Sequence, residues 1–120
     1  MEITLYTKFG KPVMYISPDY GNAIYNWKGQ AVSYLYEEKI YGWRGKHLGW
    51  FIDDIVYNLK GYRVGYTRET CPYVVYAEYA KYAKYAQYAK YARYAAYARP
   101  ALSTADSGED LERFLSQNAI

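Results

Sequence analysis

Apolar and polar residues alternate along the first part of the chain, in short runs on either side of glycine. In IYNWKGQAVSYLY, residues 24–36, aromatic and β-branched residues alternate on both sides of Lys28 and Gly29. A period of two is typical of a β-strand with one buried face, and a residue pair ending in glycine is typical of a two-residue hairpin turn. This stretch therefore predicts a β-hairpin.

The same pattern occurs four times. The copies align on four glycines, which we call the turn glycines: Gly10, Gly29, Gly45 and Gly61. A tyrosine stands four residues before each of them: Tyr6, Tyr25, Tyr41 and Tyr57. Valine or leucine stands three residues after each of them: Val13, Val32, Leu48 and Val64. The repeat predicts a mainly β domain over residues 1–70, built from four consecutive hairpins arranged like a flower.

The alternation also predicts which side chains share a face of each hairpin. One face of the second hairpin should carry Tyr25, Trp27, Val32 and Tyr34. The other face should carry Ile24, Asn26, Ala31, Ser33 and Leu35. A column of small residues, Ser33, Gly49 and Gly65, should mark the place where the hairpins converge, with Met14 as the exception. Pro12 has no N–H to donate, so we expect it at a free edge.

The repeat resembles the 4-fold beta flower family of bacterial proteins. The resemblance rests on IYNWKGQAVSYLYEEKIYGWRGKHLGWFIDDIVYNLKGYRVGYT, residues 24–67, and on LYTKFGKPVMYIS as the first copy. The tyrosine-alanine triplets and the YARPALS junction that follow also resemble the family, so nearly the whole chain is covered. The resemblance implies a fold and brings no catalytic or binding residue with it.

Residues 71–100 form a low-complexity tail in which the triplet Tyr-Ala-X repeats from Tyr76 onward. Alanine, lysine, arginine and glutamine favour the α-helix, which makes a helix the preferred prediction. On a helix the tyrosine stripe would wind around the axis, since three residues advance by about 300°. Extended and disordered states are the alternatives, and polyproline II would align the tyrosines in one row. A strand is the least expected state.

The last segment, residues 101–120, contains a pattern typical of a short amphipathic helix. Asp106 or Ser107 is the predicted N-cap, and Leu111, Phe114 and Leu115 fall on one face. We expect this helix to dock on the hairpins or on a neighbouring chain.

Composition narrows the class of protein. The chain has 120 residues, 19 of them tyrosine, and a net charge of +3, which is low for a nucleic-acid-binding domain. One cysteine allows no internal disulfide and no thiolate pair for zinc. The pattern contains no signal peptide and no transmembrane stretch, so the expected location is the cytoplasm without membrane contact. Export without a classical signal is the alternative.

The sequence predicts no enzymatic activity. His47 and Cys71 are its single histidine and single cysteine, and no third group is placed to orient them. No phosphate-binding glycine loop follows a strand and opens a helix. We therefore predict no catalytic residue, no cofactor and no metal.

Aromatic residues are the candidate contacts for a ligand or partner. On the hairpins these are Trp27, Tyr41, Trp43 and Trp50, which could stack on sugar rings, although filling a small core is the preferred interpretation. In the tail they are Tyr82, Tyr85, Tyr88 and Tyr91. The tail cations Lys81, Lys84, Lys90, Arg93 and Arg99 could join these tyrosines in binding single-stranded nucleic acid, but a solvated set of charges is preferred.

Three functional classes follow in order of preference. The first is a structural or interaction module that assembles with itself or with a protein partner through the tail. The second is a ligand-binding module for a glycan or nucleic acid, and the third is an enzyme. For the tail, the competing prediction is that it wraps around its own hairpins.

Overall fold

Eight antiparallel strands form a closed barrel in chain order in the computed structural model, which describes all residues from Met1 to Ile120. The strands are β1 (Ile3–Tyr6), β2 (Pro12–Ser17), β3 (Ala23–Tyr25), β4 (Ala31–Tyr36), β5 (Lys39–Gly42), β6 (His47–Ile52), β7 (Ile55–Asn58) and β8 (Arg63–Tyr66). The helices are a 3₁₀ turn, Pro18–Tyr20, and α1 (Leu111–Ser116). The predicted mainly β fold with a short C-terminal helix is confirmed.

Closure of the barrel contradicts the prediction of free edges. Tyr6 of β1 pairs with Tyr66 of β8, so the first and last strands are joined. Pro12 was expected at an edge, but it pairs with Tyr6 within the sheet. It is tolerated there because the register of β1 and β2 shifts at this point, and an interrupted ladder is where a residue without an N–H can be placed.

The turns at the turn glycines are longer than predicted. Asn26 accepts a hydrogen bond from Gly29 N–H and donates its own N–H to the Gln30 carbonyl, which leaves three residues in the loop. The other three turns have the same two bonds. Three-residue loops of this kind require glycine at their last position in a left-handed conformation. All four turn glycines have φ between 86° and 96°.

A register shift near each turn corrects the predicted faces. Ile24 pairs with Ser33 and Tyr25 pairs with Ala31, which leaves Val32 as an extra residue in β4. The shift places Val32 with Ile24 in the barrel interior, while Ala31 packs with the aromatic residues. Strict alternation failed because one unpaired residue reverses the face of every residue beyond it.

The barrel interior is filled by aliphatic side chains and by one face of α1. Leu111, Phe114 and Leu115 are buried in the same cluster as the inward residues of the strands. An eight-stranded barrel is just wide enough to be filled by side chains. The small residues make room for the helix, since a Cβ on Gly65 would lie 2.7 Å from the Leu111 side chain. The helix therefore closes one end of its own barrel.

The helix begins later than predicted. Its N-cap is Asp110, whose carboxylate accepts the N–H of Arg113 at 2.8 Å. Asp106, a predicted cap, instead pairs with Arg63 beside β8 and accepts a hydrogen bond from the Tyr66 hydroxyl at 3.0 Å. Burial and this hydrogen bond raise the pKa of Tyr66 to about 12. The carboxylate of Asp106 is bonded to Tyr66 of the barrel and therefore does not cap the helix.

The tail is not helical, which corrects the preferred prediction. Residues 71–100 contain neither helix nor strand and run as an extended chain around the outside of the barrel. Helix propensity is a weak preference that tertiary contacts override. Here the contacts are hydrogen bonds to the four turns, which a helix could not make while keeping its own backbone bonds.

Candidate interaction surface

The tail passes the four turns at intervals of nine residues. One backbone carbonyl lies against each turn glycine: those of Val74, Ala83 and Ala92 in the tail and that of Ala101 directly after it. A Cβ on any of these glycines would collide with that carbonyl. The turn glycines therefore serve two purposes, because they supply a positive φ and let the tail backbone approach closely. Three Tyr-Ala-X triplets span the distance from one turn to the next.

Backbone N–H groups of tyrosines attach the tail to the barrel. Tyr85 N–H donates to the Gly29 carbonyl and Tyr94 N–H donates to the Gly45 carbonyl, both at 2.9 Å. Equivalent bonds at the first and last turns come from Tyr76 and Ser103. Most tail tyrosines thus donate a backbone N–H to the barrel, while their side chains remain more than half exposed.

The third residues of five triplets contact aromatic side chains of the barrel wall: Lys81, Lys84, Gln87, Lys90 and Arg93. Lys84 Nζ lies 4.7 Å from the Tyr20 ring centroid, and Lys90 Nζ lies 4.9 Å from that of Tyr34. Gln87 donates to the Tyr25 hydroxyl at 2.8 Å. A cation over an aromatic face is attracted by about 0.5–1 kcal/mol at exposed sites. Tail cations therefore bind inward to the barrel.

Glu2 forms the centre of an ion-pair group. Its two carboxylate oxygens lie 3.1 Å from Lys81 Nζ and 2.8 Å from Lys84 Nζ, and Ser17 donates its hydroxyl to it at 3.0 Å. Burial opposes ionisation of Glu2, but the two ammonium groups and this hydroxyl outweigh burial and hold the pKa of Glu2 below its usual value. The N-terminus of the chain is thereby joined to the tail.

His47 makes a second connection between tail and barrel. Its ring is buried, with Nε2 at 2.9 Å from the Gly49 carbonyl and Nδ1 accepting the Tyr97 N–H at 3.0 Å. These partners require the neutral ring with its proton on Nε2. Burial lowers the pKa of His47, and the hydrogen bond to Gly49 opposes that shift.

The tyrosine rings of the tail form an exposed row around the barrel. We call the tyrosine row the eight residues Tyr76, Tyr79, Tyr82, Tyr85, Tyr88, Tyr91, Tyr94 and Tyr97. Each of these residues is between 51% and 71% exposed, although the backbone of the tail is hydrogen-bonded to the turns. The four predicted tail contacts, Tyr82, Tyr85, Tyr88 and Tyr91, all belong to this row.

The four predicted contacts of the hairpins are placed differently. Tyr41, Trp43 and Trp50 are buried, and Trp27 is half-buried under Tyr79, with ring centroids 5.8 Å apart. Trp43 donates its Nε1–H to the Tyr88 carbonyl at 2.9 Å. A sugar could stack on these rings only if the tail moved away.

His47 and Cys71 do not form a pair, because each side chain bonds to a different part of the chain. The Cys71 thiol contacts the Thr7 carbonyl at 3.4 Å, and no hydrogen bond joins it to His47. Nowhere in the chain do three His, Cys, Asp or Glu side chains come together as metal ligands. None of the helices has the length and apolar character of a membrane-crossing segment.

The contacts of Glu2, Gln87 and His47 were not predicted from the sequence. A signal for Gln87 was present, since Lys81, Lys90 and Arg99 are spaced by nine residues and so are Glu78 and Gln87. A spacing of nine residues equals three triplets, which is the length of tail between one hairpin turn and the next. The role of Glu2 has no local signal, because its partners lie some eighty positions away along the chain.

Comparison with known proteins agrees with this architecture. No curated protein and no solved structure matches the chain. A family model, described as 4-fold beta flower protein, matches residues 3–115, which is nearly the whole chain. The eight-stranded barrel, its four alike turns and the segment that encircles them therefore belong to a member of the 4-fold beta flower family.

Proposed function

We propose that this chain is a non-enzymatic structural module that associates with copies of itself through the tyrosine row. The observation that carries the proposal is the exposure of eight regularly spaced tyrosine rings on a backbone that is bound to the barrel. Tyrosine is enriched at protein interfaces, where the ring is buried and the hydroxyl keeps a polar partner.

Attachment of the tail favours this use of the tyrosines. A free tail would lose conformational entropy on binding, whereas this one is already extended and bonded at all four turns. Preorganisation of this kind lowers the cost of association. The alanine beside each tyrosine is small, so a partner backbone can approach the rings closely.

We also infer that the four hairpins are copies of one unit and that the tail advances by three triplets from each turn to the next. The alike turns, the shared register shift and the nine-residue interval of the tail support this inference. Its consequence for assembly is that similar surfaces recur around the barrel, so that several copies can bind side by side.

Ligand binding is the less supported alternative. Stacking of nucleic-acid bases needs cations beside the exposed rings. Lys81, Lys84 and Lys90 instead lie over aromatic rings of the barrel wall, and no tail cation lies over a ring of the tyrosine row. Stacking of a glycan on the hairpin tryptophans needs free ring faces, and those of Trp43 and Trp50 are buried.

Light scattering over a wide range of protein concentration tests the proposal. We expect the full chain to form oligomers as concentration rises. Serine at Tyr82, Tyr85, Tyr88 and Tyr91 together should shift this association to higher concentration. Phenylalanine at the same four tyrosines is the matched control, because it changes the same positions and leaves the rings in place. A full chain that stays monomeric, or a control that dissociates equally, would overturn the proposal.

A further inference from the structure

Two cations of the tail have no carboxylate partner. Lys90 and Arg93 form no ion pair in the structure, although the cations that precede them in the repeat do. Lys81 and Lys84 share the carboxylate of Glu2. Lys81 also pairs with Glu78, and the residue nine positions after Glu78 is Gln87, so this second carboxylate is missing beside Lys90 as well.

Lys90 and Arg93 are equivalent to Lys81 and Lys84 at the next hairpin turn that the tail passes. Each is nine residues beyond its counterpart. Lys81 Nζ lies 4.7 Å from the ring centroid of Tyr15, and Lys90 Nζ lies 4.9 Å from that of Tyr34. Tyr15 and Tyr34 each stand five residues after a turn glycine, so the two settings correspond residue by residue.

In the second copy of the repeat, the position equivalent to Glu2 is occupied by Gly21. Glu2 precedes its turn glycine, Gly10, by eight residues, and Gly21 precedes Gly29 by the same number. A Cβ built on Gly21 would lie 3.9 Å from Lys90 Nζ, so an acidic side chain at this position would reach the ammonium group. With glycine there, the chain supplies no anion to this pair of cations.

We propose that Lys90 and Arg93 form a binding site for a carboxylate, supplied by an acidic segment of a protein partner. This goes beyond the proposed self-association: the site adjoins Tyr88, Tyr91 and Tyr94 of the tyrosine row but binds a partner that has an acidic segment. Glu2 shows within the same molecule that a carboxylate fits between two such cations.

Aromatic rings hold the two cations in position. The Arg93 guanidinium lies 3.8 Å from the ring centroid of Tyr36 and 5.6 Å from that of Tyr41, and Lys90 Nζ lies 5.0 Å from that of Trp43. An arginine stacked on ring faces binds a carboxylate through the N–H groups at the edge of its guanidinium. The next cation along the tail, Arg99, already has Glu38 at 3.8 Å.

The test measures binding of a fluorescent tetraglutamate peptide to the full chain by anisotropy at low salt. The wild-type chain should bind one peptide, and Lys90→Gln with Arg93→Gln should weaken binding at least tenfold. Lys81 also pairs with Glu78, so Glu2→Gln combined with Glu78→Gln should expose the corresponding pair Lys81 and Lys84 and raise the stoichiometry from one peptide to two. These shifts in affinity and stoichiometry are specific to the two cation pairs.

Gly21 provides the matched control. Gly21→Asp places a carboxylate beside Lys90 and should abolish peptide binding, whereas Gly21→Asn should bind like the wild type. Both residues tolerate the left-handed conformation found at Gly21, where φ is 70°. No measurable binding by the wild type, equal binding by the aspartate and asparagine variants, or no effect of Lys90→Gln with Arg93→Gln would each overturn the inference. None of these peptide-binding results depends on self-association. Light scattering tests separately whether the chain associates through the tyrosine row.

Discussion

The backbone N–H of Tyr97 donates a hydrogen bond to Nδ1 of His47 at 3.0 Å, across fifty positions of the chain. The same ring donates from Nε2 to the carbonyl of Gly49 at 2.9 Å. Barrel and tail are thus joined through a side chain whose two nitrogens have opposite roles. A second proton, on Nδ1, would point at the Tyr97 N–H, and two donors cannot bond to each other. The hydrogen bond between tail and barrel therefore exists only while His47 is neutral.

Stability should decrease as pH falls through the range in which His47 titrates. Burial lowers the pKa of His47 in the folded chain, while in the unfolded chain it is about 6.5. Below that value the unfolded chain binds a proton that the folded chain resists. The contribution of neutral His47 to the free energy of unfolding is therefore complete above about pH 6.5. It is lost as pH falls below that value, by at most about 1.4 kcal/mol per pH unit.

Urea unfolding between pH 5 and 7, in steps of about half a unit, measures this slope. His47→Gln removes the titrating group and should flatten the curve over this range, apart from carboxylates that both proteins share. Identical slopes for the two proteins would contradict the assignment of His47 as a neutral acceptor.

Gly45→Ala should destabilise the chain more than Gly108→Ala. Both glycines have a positive φ, 96° and 77°, so each substitution costs about 1–2 kcal/mol of backbone strain. Only at Gly45 does the new Cβ also meet a tail carbonyl, that of Ala92, while nothing lies within 4 Å at Gly108.

Thermal unfolding compares the two variants, and limited digestion with trypsin reports on the tail, because its lysines and arginines are cleavage sites. We expect faster cleavage near Lys90 and Arg93 in Gly45→Ala only. Equal losses of stability with equal cleavage would show that the tail does not press against this turn.

Proline at Tyr85 should weaken the attachment of the tail, and proline at Tyr88 should have a smaller effect. Tyr85 donates its N–H to the Gly29 carbonyl at 2.9 Å, whereas the Tyr88 N–H makes no such bond. Both substitutions remove one exposed ring, so their difference isolates one hydrogen bond, about 1 kcal/mol. Hydrogen exchange of the neighbouring tail amides measures the difference, and the reverse order of protection would refute the contact.

Leu115→Ala should cost about 2–5 kcal/mol of unfolding free energy, since its side chain is buried in the barrel interior and a cavity would remain. Arg113→Ala, on the exposed side of the same helix, should change stability by less than about 0.5 kcal/mol. Urea unfolding of both proteins tests whether α1 is part of the core. Similar small losses would mean that the barrel is complete without the helix.

Local patterns along the chain determined the strands, the positions of the turns and the existence of the last helix. Alternation around Gly29 and Gly45 indicated strands, since period two is a property of the strand itself. The three apolar residues of α1 indicated a helix with one buried face. In each case the deciding interactions lie within a few residues of one another.

Only the tertiary structure decided closure of the barrel, the register shifts and the path of the tail. Val32 faces the interior because its strand carries one unpaired residue, and nothing in its local sequence distinguishes this from plain alternation. The tail is extended because its carbonyl and N–H groups meet turns that are up to seventy positions away. Its alanines favour a helix locally, and the hydrogen bonds and cation contacts that outweigh this preference exist only once the barrel has formed.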